Sequence, residues 1–368
     1  MKNGKKYFNL INPRLKYLPQ MYEYDHLGQD HELYSMFTQT KNFSGDYIKT
    51  DNFGFRLSKF NEQYISVDTE LYSKKRINIL IGGSTAFGVG ATHDDYTIAS
   101  YLSNKTKERW INLGLRAGNS LQEDINLLKI ISKYPNIGKI VVLSGINDMY
   151  MNIAYQESNN KLNDSIFNNA KIQKHLNTIR IKNFSFKRRF VSFIISLLKN
   201  VKRSDIIHLG SVSEMFKYSA KDDLNMNTHE IAYIDQLRTT YERNFILYSG
   251  LQKALEKTQI YFFLQPYSDW VKKEINSKEK EIFNFLDSKS ESFQKINKKI
   301  ISGYNQTLLL LQELSLKYGC HFYDMNVEFF GGKENFIFAD RIHLTDEGNK
   351  FASEIIIKHL YKKEKNNK

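Results

Sequence analysis

Residues 76–84 read RINILIGGS, from Arg76 through Ile77, Asn78, Ile79, Leu80 and Ile81 to Gly82, Gly83 and Ser84. A short apolar run that stops at two glycines is a buried strand entering a tight turn. The same texture returns along the chain. Trp110–Leu113 is a second strand, Lys139–Leu143 a third, Ile260–Leu264 a fourth and His321–Tyr323 a weaker fifth. Helical spacing falls between them, at about 95–104, 120–132, 238–257 and 293–318, with a last helix at about 345–361. Thr345 followed by Asp346 reads as its N-cap with acid in the first turn. Strands alternating with helices predict an α/β layer fold around a mostly parallel sheet. In such sheets ligands bind beyond the C-terminal ends of the strands.

Residues 1–75 are polar, Tyr-rich and irregular, an N-terminal extension expected to pack on the core. The main domain takes 76–148 and 238–368. Between them, 149–237 interrupts the alternation and is read as a basic helical insertion, cap-like, over the same sheet edge.

Of 368 residues, 41% are hydrophobic, 25% are charged and only 4 are proline, which excludes a disordered or fibrous chain. Cys320 is the only cysteine, so no intramolecular disulfide framework and no Cys-based zinc cluster can form. No metal spacing and no cofactor motif stands out. Neither a signal peptide nor a membrane span is visible, and the expected location is the cytoplasm.

The formal charge is +13, and its placement is informative. Residues 165–204 carry ten Lys and Arg and no Asp or Glu, so this stretch holds 10 of the 13 excess charges. Within it Phe190, Phe193, Ile194, Leu197, Leu198 and Val201 recur at helical spacing. Such a helix either packs on the main domain or docks on an anionic partner, an acidic membrane surface at the inner face or an anionic glycan. No nucleic-acid-binding signature accompanies the charge, and nucleic acid is not an expected partner.

Four chemically equipped stretches lie at the strand ends. Ser84 follows the first strand, Gly118 the second and Asn147 the third, while Asp340 and His343 sit before the last helix. A serine hydroxyl is a weak nucleophile until a base takes its proton, and an imidazole does so near neutral pH. The imidazole needs an acceptor on its other nitrogen, and Asp340, three residues before His343, can provide it on one short turn. The N–H groups of Ser84 and Gly118 and the amide of Asn147 would stabilise an oxyanion, each contributing about 3–4 kcal/mol.

The blocks GGSTAFG, AGNS, GIND and DRIH resemble, in order and spacing, the four blocks of the SGNH (GDSL-type) serine hydrolases. TDNFGFR at 50–56 and FFLQP at 262–266 resemble segments of a bacterial branch of that family. The resemblance implies a three-layer α/β/α, flavodoxin-like sandwich without a metal. It implies Ser84 as nucleophile, His343 as base, Asp340 as its orienter, and Ser84, Gly118 and Asn147 around the oxyanion. It further implies hydrolysis of esters, often acetyl groups on sugars, with O-acyl transfer through the same triad as the alternative. Gln265 either reaches the cleft edge or, with Pro266, simply ends its strand. Arg116, inside the second block, is a candidate contact for an anionic substrate. The reading from another class is a non-catalytic binding module that uses its basic insertion.

Overall fold

The computed structural model describes residues 12–32, 35–71, 73–134, 136–157 and 226–361. Five strands form one parallel sheet: β1 (Ile77–Gly82), β2 (Arg109–Gly114), β3 (Ile137–Ser144), β4 (Gln259–Leu264) and β5 (His321–Asp324). Their order in space is β2-β1-β3-β4-β5, the flavodoxin-like doubly wound arrangement. The order reverses between β1 and β3, so a crevice opens at their C-terminal ends. All five expected strands are present, each one to three residues longer than its apolar run.

Because side chains alternate along a strand, the sheet has two apolar faces. Ile79, Ile81, Val142 and Phe262 face one way, and Leu80, Val141, Leu143 and Phe263 the other. The helices, in chain order, are α1 (Pro13–Tyr17), α2 (Met21–His26), α3 (Ser84–Phe87), α4 (Ile98–Thr106), α5 (Ser120–Ile131) and α6 (Ile146–Glu157). Then follow α7 (Met226–Ala254), α8 (Ser277–Asp287), α9 (Glu291–Ser302), α10 (Tyr304–Tyr318) and α11 (Asp346–Tyr361). Residues of α5, α6, α7, α9 and α10 cover the first face, and residues of α1–α4, α8 and α11 the second. This is a three-layer sandwich. Among the described residues no helix is long and apolar enough to cross a membrane.

Three helical expectations need correction. The span 293–318 is two helices broken at Gly303, where the Tyr233 ring would lie 3.3 Å from an added Cβ. Helix α8 was not expected, because it is dense in charge. It starts on a capping box between Asn276 and Glu279, and Glu279 makes a buried 2.5 Å pair with Lys273. Helix α7 begins at 226 rather than 238. Its Tyr241 hydroxyl donates to Gly145 O at the exit of β3, and its Tyr248 hydroxyl to Asp124 within α5. The turns before Tyr241 therefore run beyond the C-terminal edge of the sheet. The expected amphipathic helix around 190–201 and the whole basic stretch 165–204 lie outside the described residues.

The described residues among 12–71 form short elements, including two antiparallel hairpins, Gln29–Glu32 with Met36–Gln39 and Ser58–Phe60 with Gln63–Ile65. Their strongest tie is Arg56, fully buried. Its Nε donates to Asp94 at 2.8 Å, Nη1 to Gly88 O at 2.8 Å and to the Tyr24 hydroxyl, and Nη2 to Tyr47 O at 2.9 Å. A buried charge stripped of one partner costs about 3–5 kcal/mol. Arg56→Ala should lower the urea midpoint by that much stability, and a midpoint within about 0.5 kcal/mol of the parent would contradict this role.

Behind the crevice, three buried carboxyl groups, Glu123, Asp124 and Asp148, lie between α5, α6 and α7. Burial raises Asp148 to about 6 and Asp124 to about 8, and lifts Glu123 well above the usual range. The folded chain thus holds these protons more tightly than the unfolded one. Their contribution is complete below about pH 4 and is lost as pH rises through about 6 and then 8. The thermal midpoint should fall across that window, and Asp124→Asn should shrink the fall. A wild-type midpoint that rises over the same range would refute the assignment.

Candidate active site

The crevice at the β1–β3 switch point is built by close backbone approach. An added Cβ at Gly82 would meet Leu143 O at 2.0 Å, so only glycine lets β1 and β3 leave the sheet side by side. Gly83 then turns the chain into α3 and places Ser84 at its first position. No side chain caps this helix, so its first N–H groups face the crevice without a capping acceptor.

Ser84 and His343 are 259 residues apart in sequence, and the structure joins them. His343 Nε2 lies 2.7 Å from Ser84 Oγ, and His343 Nδ1 lies 2.7 Å from Asp340 Oδ2. The other oxygen of Asp340 accepts the N–H groups of Ile342 (3.0 Å) and His343 (2.9 Å). One carboxylate therefore shapes the turn and fixes the ring. With an acceptor on Nδ1, that nitrogen carries the proton and Nε2 is left to accept from the serine. Burial alone would raise Asp340, but the charge and hydrogen bond of His343, then Arg14 and the backbone, hold it well below the usual carboxylate range.

Asn147, in the first turn of α6, donates through Nδ2 to Gly118 O at 2.7 Å. An amide nitrogen has two protons, so one remains for the crevice. An added Cβ at Gly83 would fall 2.6 Å from that same Nδ2, which places the Asn147 amide against the backbone that precedes Ser84. Gly118 enters differently from expectation. Its carbonyl holds Asn147, and its N–H closes a turn onto Leu115 O at 3.2 Å. It can meet an oxyanion only by releasing that turn. Ala117 in the turn has φ +58°, a left-handed conformation that a Cβ disfavours by about 1–2 kcal/mol.

The two possible substrate contacts, Gln265 and Arg116, are engaged within the protein. Gln265 is buried, its Nε2 donating to Thr85 Oγ1 at 3.1 Å. Thr85 in turn donates to Ile342 O at 3.3 Å. Gln265 thus ties β4 to the residue after Ser84 and on to the His343 turn, a structural use of a polar group at a strand end. Arg116 does not present its guanidinium to the crevice. Nη1 donates to Leu27 O (3.0 Å) and Gln39 Oε1 (3.3 Å), and burial lowers the group to about 10. It anchors the N-terminal segment on the Gly118 loop. Arg341 is similarly committed, to Asp269 and Asp287 at 2.6 Å each. Sequence reading missed Arg14, whose Nη2 lies 3.7 Å from Asp340 Oδ2. No motif marks it, because it comes from the irregular extension.

No family model and no curated protein matches the chain. Among solved structures it is similar to an extracellular lipase from Streptomyces rimosus, with 11% identity over 77% of this chain and 99% of that one and a TM-score of 0.39. It is also similar to an acetylxylan esterase from Geobacillus stearothermophilus, with 11% identity over 78% and 95% of the two chains and a TM-score of 0.34. Likeness of this depth assigns neither family nor activity.

The packing of Gly83 on Asn147 gives a direct test of the wall beside Ser84. Gly83→Ala should displace the Asn147 amide and lower kcat on a small ester about 10²–10³-fold, the loss typical of one oxyanion donor, with KM little changed. Unchanged kcat in a folded variant would remove Asn147 from that role.

Proposed function

We propose that the protein is a serine esterase or deacylase working through an acyl-enzyme on Ser84, with an O-acylated carbohydrate or similar ester as substrate. The observation that carries this is the continuous chain Ser84 Oγ, His343 Nε2, His343 Nδ1, Asp340 Oδ2, with 2.7 Å at both inter-residue links. That arrangement makes a serine nucleophilic at neutral pH and has few other uses. The substrate class rests on the resemblance of the four sequence blocks.

In the first step Ser84 Oγ bonds to the acyl carbon while its proton passes to His343 Nε2. The carbonyl oxygen becomes an oxyanion beside the Ser84 N–H and the free Asn147 amide proton. Collapse breaks the bond to the leaving alcohol, which takes the proton from Nε2 and departs. Water then attacks the acyl-serine, Nε2 receives its proton, and that proton returns to Ser84 Oγ as the acid leaves. Transfer to an alcohol acceptor uses the same acyl-enzyme and differs only in what attacks in the second step.

A fluorophosphonate probe should label wild-type protein at Ser84 and leave Ser84→Ala unlabelled. The same variant should lose at least about 10⁴-fold in turnover of a small acetyl ester. Retained turnover in a folded Ser84→Ala protein sinks this reading.

A further inference from the structure

Asp340 has partners on two sides. From its own turn it accepts two backbone N–H groups and the His343 ring. From the N-terminal segment, Arg14 on α1 brings Nη2 to 3.7 Å of Oδ2, the oxygen that already holds His343. That distance is an ion pair rather than a hydrogen bond. The same guanidinium is held from the other side by Asp25 of α2, with Nη1 at 3.0 and 2.8 Å from the two carboxylate oxygens. Arg14 is largely buried, its side chain 13% exposed, and so is Asp340 at 13%, while Asp25 is 40% exposed. Screening between Arg14 and Asp340 is therefore weak.

We propose that Arg14 is a positioning residue of the triad, a cation shared between Asp25 and Asp340 that sets how strongly His343 holds a proton. The inference rests on the esterase reading for its use in catalysis, but its electrostatics stand on geometry alone. Asp340 favours the imidazolium, and Arg14 opposes it through the same oxygen. Asp25 moderates Arg14. Among the described residues two further cations lie close by. Arg341 is paired with Asp269 and Asp287, whereas Arg116, bonded to the neutral Leu27 O and Gln39, is a second cation that feels Asp25 and Arg14 and acts with Arg14 on the same side. Ser84, on the other ring nitrogen, carries no charge in the resting state.

The consequence is a pair of opposite shifts. Removing the cation in Arg14→Gln leaves Asp340 unopposed, and the proton affinity of His343 rises. Removing its counter-charge in Asp25→Asn frees Arg14 to act on Asp340, and the affinity falls. Arg14→Lys keeps the sign of the charge and stays close to wild type. Loss of packing alone has no reason to move a titration in opposite directions.

The test is an NMR titration of the His343 imidazole in full-length protein, with the signal assigned by its loss in His343→Gln. Circular dichroism monitors folding. Arg14→Gln should raise the midpoint, and Asp25→Asn should lower it. The acid limb of fluorophosphonate labelling should move in the same two directions. Equal midpoints, or shifts of the same sign, overturn the proposal. If Arg14→Gln does not fold, the Asp25→Asn shift and the Arg14→Lys match still decide it. Loss of the esterase reading would appear separately, as turnover that survives Ser84→Ala, and would leave the titration result intact.

Discussion

The direction of the Ser84 hydroxyl depends on a helix too short to hold itself. Helix α3 has four residues, one turn, far below the length at which a helix is stable alone. Arg56 holds it from below. The buried guanidinium takes the carbonyls of Phe87 and Gly88 at the helix end and anchors on Asp94. Above, Thr85 is pinned between Gln265 and Ile342 O. Ser84 is thereby placed by groups from the N-terminal segment, from β4 and from the His343 turn at once. Subtle repacking far from the crevice should be felt there, since catalytic geometry tolerates errors of well under an ångström.

Much of the fold was legible because the buried parallel strands of such a sheet are continuous apolar runs that glycines terminate. Ile77–Ile81 and Lys139–Leu143 need no tertiary information to be recognised. The failures have one cause, a pattern set by neighbours rather than by the segment. Gly303 divides the span 293–318 at a point packed against the Tyr233 ring of a distant segment. Helix α8 owes its place to Glu279, whose carboxylate takes the Ile337 and Phe338 N–H groups as well as Lys273. The capping spacing of Asn276 and Glu279 was present in the sequence and was the available clue.

The candidate site divides along the same line. Ser84, Asn147, Asp340 and His343 each lie in a local motif, and the crossovers of a parallel sheet bring those motifs to one edge. Gln265 stayed open between two roles, and Arg116 was only a candidate contact, because a polar residue in a motif loop looks the same whether it faces a ligand or a backbone carbonyl. Burial decides between them, and burial is a tertiary quantity. Arg14 was invisible for the converse reason. It sits in no motif, and only the wrapping of residues 12–71 around the crevice brings it to Asp340.

The two ends of the Ser84–His343 contact also differ in when they exist. A ribosome adds about 5–20 residues per second, so the 259 residues between them correspond to roughly 13–50 s of translation. Once β2 has been made, β1 and β2 can pair while Ser84 still lacks its histidine neighbour. On the proposed esterase reading the nascent chain would carry an inert alcohol until the turn bearing His343 has left the exit tunnel. On that same reading a chain truncated before residue 340 would be catalytically silent, however well its sheet had formed.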